Sequence, residues 1–322
     1  MSLNWNNILK ENMTVAIVGH IRPDGDCTSS CLGLYNYIKD NFPLVKVDVY
    51  LDYVLPIFQF FNRSHEVLTE ETKKISYDLF IGLDCADIDR YGMGSGYFES
   101  AKHSICIDHH ISNQGFAKEN YIVPNASATA ELLYTTLEEE KISKEVAECL
   151  YTGIIHDTGV FKYSNVTKDT MRIAGKLIDK GIDFTSIISK TFSEKSYHQK
   201  QILGRALLES IRFMHGKCVF SFIKEKDMEF YGVTPADLDG IVEQLRDIKG
   251  VECAIFVYEL GVQKYKVSLR SKDIVDVSKI ASFYGGGGHI RAAGCTMMGS
   301  IHDAINNLSK KIEQQLIEAG EL

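Results

Sequence analysis

The chain has 322 residues, enough for two domains that each bury a core of their own. With 45% hydrophobic and 24% charged residues it has the balance of a soluble globular protein, and no apolar run approaches the ~18 uninterrupted residues of a membrane span. The net charge of −8 belongs to residues 1–194, which carry 18 basic against 27 acidic side chains while the remainder carries 17 against 16; unless cations neutralise it, that acidity repels a polyanion, so extensive duplex nucleic-acid binding is not expected and a short or small anionic substrate is left open. Eight cysteines are scattered without a CxxC pair, mostly in apolar runs such as SICID and VECAIFVY, as in a reducing compartment. The opening MSLNWNNILKENM lacks the basic flank and apolar core of a secretory signal, so the expected location is the cytoplasm.

Short runs rich in β-branched residues at 13–19 (MTVAIVG), 45–51 (VKVDVYL), 77–84 (YDLFIGLD) and 103–108 (HSICID) predict strands. Between the first two, CTSSCLGLYNYIKDN places Cys31, Leu32, Leu34, Tyr35 and Ile38 near helical spacing. Three further helical stretches follow, SATAELLYTTLEEEK, SKEVAECLYTGIIHD and TKDTMRIAGKLIDKG, with Ser127, Ser143 and Thr167 as expected N-caps. This alternation predicts an α/β domain with a mostly parallel sheet flanked by helices.

Residues 183–214 read as helices with a long polar connection. A new pattern then starts: strand KCVFSFI, helix PADLDGIVEQLRDI, strands VECAIFVYEL and VQKYKVSLRS, helix DVSKIASFY, a glycine run, and a closing helix from about Ser300. The expected division is a first domain at 1–190, a helical linker at 191–210 and a smaller α/β domain at 211–322.

Parallel sheets bind ligands outside the carboxyl ends of their strands. His20, Asp24 and Asp26 follow the first strand, Asp84 ends FIGLD, Asp108, His109 and His110 end SICIDHH, and Asp157 ends an apolar helix-like run in GIIHDTGVF. One such Asp alone is best read as a turn cap, and Asp24–Gly25 is a common turn pair. Four segments together read differently, because clustered carboxylates raise one another's pKa values and cost stability unless a cation sits among them. Carboxylates and imidazoles without thiolate suit Mn²⁺, Mg²⁺ or Fe more than structural zinc. Six metal-contacting candidates among these eight exceed what one catalytic ion with open positions takes, whereas two ions about 3.5 to 4 Å apart would use them and clamp the attacking and leaving oxygens of a phosphoryl displacement.

Gly285 to Gly288, followed by His289, form a run whose entropy cost a structural loop rarely needs. Without Cβ atoms their N–H groups can approach an anion, with a following short helix adding positive charge and with His289 and Arg291 completing a phosphate cradle; the simpler alternative is a flexible turn. Arg270, ending YKVSLRS, is equally a phosphate or base contact and a surface strand-end arginine. GMGSG, at 92–96, lacks full GxGxxG spacing and reads as a loop.

HIRPDGD, LDCAD, IDHH and GIIHDTGVF resemble, in order, the four motifs of the DHH phosphoesterase superfamily, and VSLRSKDIVDVSKIASFYGGGGHIRAAG resembles the signature of the DHH-associated C-terminal domain. The matches run from about residue 13 to 296. Compact two-domain chains with GGGGH resemble the NrnA type within that superfamily: bifunctional oligoribonucleases (nanoRNases) and 3'-phosphoadenosine 5'-phosphate (pAp) phosphatases, with relatives called exopolyphosphatase-related. The resemblance implies one ion held by His20, Asp24 and Asp84, and another held by Asp26, Asp84, His109 and Asp157, with Asp84 bridging. It further implies that Asp108 orients a histidine and that His110 faces the phosphate as stabiliser or general acid. Arg270, Gly286, Gly287, Gly288, His289 and Arg291 would bind substrate in a cleft between the domains.

Mn²⁺ is the first choice of ion and Mg²⁺ the second. The implied partner is a short single-stranded RNA or small nucleotide, and a homodimer is compatible. Cys27 and Ser29 stand where the first motif usually has Ala and Gly; both are small. Rival readings are hydrolysis of pyrophosphate or polyphosphate, cleavage of cyclic-dinucleotide products, and a nucleotide sensor without turnover. Family II pyrophosphatases resemble the first half, but the basic Ser-Arg-Lys-Lys type motif of their second domain is missing here.

Overall fold

A computed structural model describes residues 3–70 and 76–322, and the chain divides into two compact units, Met1–Glu194 and Lys195–Leu322. The first unit runs α1 (Trp5–Ile8), β1 (Thr14–Val18), α2 (Gly25–Asn41), β2 (Lys46–Tyr50), β3 (Leu79–Leu83), α3 (Ser95–Ser100), β4 (His103–Asp108), β5 (Glu119–Ile122), α4 (Thr129–Thr136), α5 (Lys144–Asp157), α6 (Lys168–Ile178) and α7 (Phe184–Ile188). Its five strands are all parallel, in the order β2-β1-β3-β4-β5. All of β3 and nearly all of β1 and β4 are buried, as expected of central strands covered on both faces. The four strands expected from apolar runs are present, and β5, whose ENYI sequence is half polar, adds an edge strand without such a signal.

One face of this sheet packs on α2 and α4, against which α5 lies in turn, while the other holds an aromatic cluster with Tyr50, Tyr77, Phe80, Tyr91 and Tyr97. Helix α2 is buried continuously from Gly25 to Ile38. It packs closely on α5 because each presents a glycine to the other: a Cβ on Gly153 would lie 3.3 Å from the Ser29 Cβ, and one on Gly33 would lie 3.4 Å from the Cys149 Cβ. Ser143 and Thr167 cap α5 and α6 as expected. Ser127 does not cap α4; the cap residue is Ala128, which has no polar side chain, and the Ser127 hydroxyl donates to Glu131 instead.

The second unit runs α8 (Tyr197–Leu208), β6 (Ile211–Phe213), β7 (Cys218–Ile223), α9 (Glu225–Tyr231), α10 (Ile241–Arg246), β8 (Cys253–Gly261), β9 (Lys264–Ser271), α11 (Val277–Phe283), β10 (Gly287–His289), β11 (Ala292–Met298) and α12 (Ile301–Glu318). Its six strands lie in the order β10-β11-β9-β8-β7-β6, with only β7 and β8 parallel. Leu308, Ile312 and Leu316 of α12 join one core, and Ile202 and Ala206 of α8 join another with Val219, Ile223 and Phe256. Helix α8, from the stretch read as a linker, is thus part of the second unit's packing. The one helix expected over 235–248 is broken at Gly240, φ +89°, into a 3₁₀ turn and α10.

No helix follows the glycine run. Gly287–His289 instead pair with β11 as an antiparallel hairpin, so the expected helix-end charge is missing there. Three of the four glycines have steric reasons: Gly285 has φ +72°, a Cβ on Gly286 would lie 2.2 Å from the Gly294 carbonyl, and one on Gly288, φ +141°, would lie 2.4 Å from the Ala292 carbonyl. Gly287 alone of the four has neither a positive φ nor a neighbour within 4 Å of a built Cβ. Gly288→Ala should therefore destabilise the second unit by about 1–3 kcal/mol, while Gly287→Ala stays within about 0.5 kcal/mol of the parent. Urea unfolding of the full-length variants should place the Gly288→Ala midpoint clearly lower.

Candidate metal centre

In the first sheet Val18 pairs with Gly82 and Gly82 with Cys106, so these three residues form one row across β1, β3 and β4. His20, Asp84 and Asp108 each stand two residues beyond that row, at the carboxyl edge. The sheet's register therefore brings together the three motifs that the chain separates.

His20 is buried, with its Nδ1 2.8 Å from the Ile21 carbonyl. Donation to that carbonyl places the proton on Nδ1 and leaves the Nε2 lone pair for a ligand. Nε2 lies 3.8 Å from Asp24 Oδ2 and 3.6 Å from Asp84 Oδ2. Asp24 caps α2, accepting the Cys27 N–H at 3.1 Å.

A second set lies around His109. Its Nδ1 is 3.2 Å from the Ala126 carbonyl, and its Nε2 is 3.0 Å from Asp157 Oδ2, 3.6 Å from Asp84 Oδ1 and 4.0 Å from Asp26 Oδ2. Asp84 thus turns one oxygen toward His20 and the other toward His109, and the Thr129 hydroxyl donates to Oδ1 at 2.9 Å. Asp26 is fully buried, accepting the backbone N–H groups of Thr129 at 2.6 Å and Ala130 at 3.0 Å and the Ser30 hydroxyl at 3.3 Å. It supplies to α4 the cap that Ala128 cannot.

Asp108 is buried beside these groups. Its Oδ1 accepts from His110 Nδ1 at 2.7 Å and from the His109 N–H at 2.9 Å, and its Oδ2 accepts from Asn113 at 2.7 Å. Burial opposes its charge, yet the hydrogen bond and charge of His110 and the Asn113 bond hold its pKa below the usual value. The reciprocal bond, with help from the Asp84 charge, raises His110 against the effect of burial.

The remaining shifts describe a site short of positive charge. Burial, followed by the charges of Asp84 and Asp157, pushes Asp26 well above the carboxylate range. Burial raises Asp157 to about 6 despite the pull of His109. Burial disfavours charge on His109, but the Asp157 bond and the surrounding carboxylates lift it to about 10. His20 is likewise raised against burial by Asp24 and Asp84. Protons thus fill the place a cation would take. The donors form three groups whose ligand atoms lie within 4.8 Å of one another: His20, Cys27 and Asp84; Asp84, His109 and His110; and Asp26, His109 and Asp157. Buried oxygen and imidazole donors in this arrangement fit divalent ions.

Several residues here carried no motif signal. Asn113 and Thr129 fix Asp108 and Asp84, Asn165 donates to the carbonyls of Ser127 and Asp157, and Arg90 Nη2 lies 3.2 Å from His20 Nδ1. Cys27, set aside when thiolate was discounted, enters the first group. Positive φ marks the same motifs: Arg22 (55°), Asp84 (55°), Val160 (57°) and Phe161 (63°) are all left-handed. For β-branched Val160 this is a strained conformation.

The other expected residues lie in the second unit. Arg270, on β9, binds Glu243 at 2.7 Å and the Leu269 carbonyl at 3.0 Å. Arg291 donates to the carbonyls of Asp273 and Val275, anchoring the β10–β11 hairpin. Gly287, Gly288 and His289 are exposed on β10, and Gly286 is half-buried before it.

The profile of the DHH family, N-terminal domain, matches residues 14–154, and that of the DHHA1 domain matches 215–318. The chain belongs to the DHH phosphoesterases. It is similar to the bifunctional oligoribonuclease and PAP phosphatase NrnA of Thermus thermophilus, at 28% identity over 96% of this chain and 92% of the relative. The protein of the same description from Bacillus subtilis is 25% identical over 88% of this chain and 89% of its own. A crystal structure of an exopolyphosphatase-related protein from Bacteroides fragilis matches with a TM-score of 0.87 at 26% identity, covering 95% of this chain and 93% of that one. No helix among the described residues of this DHH phosphoesterase is long and apolar enough to cross a membrane.

Divalent ions should stabilise the first unit by about 2.7 kcal/mol at a hundred times Kd. Because an ion must displace protons from His109 (about 10) and Asp157 (about 6), the competition weakens as pH rises. Scanning calorimetry with Mn²⁺ against chelator should show a larger rise in Tm at pH 8 than at pH 6.

Proposed function

We propose that this DHH phosphoesterase hydrolyses the phosphoester bonds of short single-stranded oligoribonucleotides and of pAp. The observation that carries the reading is the Asp84 carboxylate, whose two oxygens serve two separate His/Asp sets. The near-full-length relatives described as oligoribonuclease and PAP phosphatase support the substrate class. The acidic first half, unsuited to long polyanions, agrees with short ones. Eight buried, unpaired cysteines agree with a cytoplasmic setting.

In this reading His20, Asp24 and Asp84 hold one divalent ion, and Asp26, Asp84, His109 and Asp157 hold another, with Mn²⁺ the first choice. Bound ions would activate a water and neutralise charge developing on the phosphoryl oxygens. The chain's own residues prepare the ground. The Ile21 and Ala126 carbonyls fix the two ligand imidazoles with Nε2 inward, and the α4 N–H groups hold Asp26 in one orientation. Asp108 holds His110 through Nδ1, so that a proton on Nε2 can pass to the leaving oxygen. In the second unit, the exposed strand Gly287–His289 with Gly286 binds phosphate and Arg291 braces the hairpin, while Arg270, ion-paired with Glu243, turns to substrate only by leaving that partner.

Phosphate and nucleotide release should be measured from pAp, a dinucleotide, a long RNA and pyrophosphate, side by side with Mn²⁺. Preference for pAp and the dinucleotide is expected; preference for pyrophosphate would overturn the substrate class, and silence on all four would leave a nucleotide sensor. Asp84→Asn, chosen because Asn tolerates a left-handed backbone, should lower kcat/KM by more than about a thousandfold with an unchanged circular dichroism spectrum. Gly287→Ala should raise KM with little change in kcat.

A further inference from the structure

Cys27 lies in the first motif, and its surroundings give the sulfur a use that a methyl group would lack. Cys27 is fully buried in the first turn of α2, and its Sγ accepts the backbone N–H of His20 at 3.2 Å. That sulfur, an imidazole nitrogen of His20 and a carboxylate oxygen of Asp84 lie within 4.8 Å of one another, and all three residues are buried. The position is held open by Gly19: a Cβ there would lie 2.4 Å from Cys27 Sγ and 3.0 Å from Cys31 Sγ. The His20 imidazole also faces Asp24 and Asp84 through Nε2, so sulfur, nitrogen and oxygen donors converge on one end of the Asp84 carboxylate.

Oxygen and imidazole donors accept Mn²⁺ and Mg²⁺, whereas thiolate selects softer ions such as Zn²⁺. The His20 backbone N–H already donates to this sulfur, fixing its orientation as hydrogen bonds to ligand sulfurs do elsewhere. We infer that Cys27 is a conditional metal ligand: when a thiophilic divalent ion such as Zn²⁺ or Co²⁺ enters the His20–Asp84 end, a sulfur–metal bond forms and the thiol proton leaves to solvent, while Mn²⁺ is held by nitrogen and oxygen alone. The inference rests on the metal-centre reading above. Its consequence is that the occupancy of this centre follows the ratio of thiophilic to hard ions more steeply than an alanine-bearing centre would.

The test uses the full chain, stripped with chelator and reloaded with Co²⁺, as wild type, Cys27→Ala, Cys27→Ser and Cys31→Ala, each checked for folding by thermal unfolding. The wild type and Cys31→Ala should show a near-ultraviolet thiolate-to-cobalt absorption that both Cys27 variants lack. In equilibrium competition, the preference for Zn²⁺ over Mn²⁺ should fall in Cys27→Ala by at least about tenfold, the scale that loss of even an outer-shell partner produces. Co²⁺ binding without that absorption, its persistence in Cys27→Ala, or its loss in Cys31→Ala alone would overturn the thiol's role while leaving the metal centre standing. Failure of the wild type to bind Co²⁺ or Mn²⁺ at all would instead overturn the centre itself.

Discussion

The buried carboxylate of Asp26 is the constraint on which the first unit depends. A carboxyl group with no water around it costs several kcal/mol unless its oxygens are hydrogen-bonded, and burial with the Asp84 and Asp157 charges pushes this one well above the carboxylate range. Here the offset comes from the backbone N–H groups that begin α4, more than 100 residues away, and from the Ser30 hydroxyl. The bond serves both sides, since α4 begins at an alanine that cannot cap it. Helix α5 completes the arrangement: a Cβ on Gly153 would lie 2.6 Å from Asp26 Oδ1, so only glycine lets that helix come so near. Three helices thereby converge on one acid, and the end of α5 carries Asp157 to within 3.0 Å of His109.

The sheet supplies the other half of the positioning. Parallel strands in register end at one edge, so residues two positions past a shared row meet without any local sequence signal linking them. Asp84 then leaves the extended conformation at once, with φ 55°, and the turn after α5 holds two consecutive left-handed side chains, Val160 and Phe161. Such conformations cost about 1–3 kcal/mol each and persist only where the surroundings enforce them. The rigid core beneath, with Ile17, Ile81 and Ile107 fully buried, provides that enforcement.

What could be read beforehand follows from how local each cause is. β1 to β4 are runs of buried apolar residues and are legible as such, whereas β5 is a half-polar edge strand held by its neighbour's ladder. Ser127 has the chemistry of a cap, but the cap of α4 comes from a distant helix, which no window of sequence contains. The glycine run was legible as unusual, though its cause is mostly steric: the hairpin with β11 demands Gly286 and Gly288, Gly285 takes a positive φ, and Gly287 is left with neither reason. Cys27 illustrates the opposite failure. Its seven-residue separation from His20 is in plain view, yet without a CxxC partner it reads as a small hydrophobe, and only the fold shows its sulfur meeting an imidazole and a carboxylate.

The charge imbalance of the chain acquires a chemical meaning from this geometry. Residues 1–194 carry nine more acidic than basic side chains, and six of the acids and imidazoles meet at one strand edge. A phosphoester, itself an anion, is repelled by that edge until cations are seated there. In the proposed reading the order of assembly follows from electrostatics alone: ions load first, displacing the protons that His109 and Asp157 hold, and only the loaded edge attracts phosphate. The near-neutral balance of the second unit suits the complementary task proposed for it, since backbone N–H groups of a glycine strand would hold an anion with little net charge.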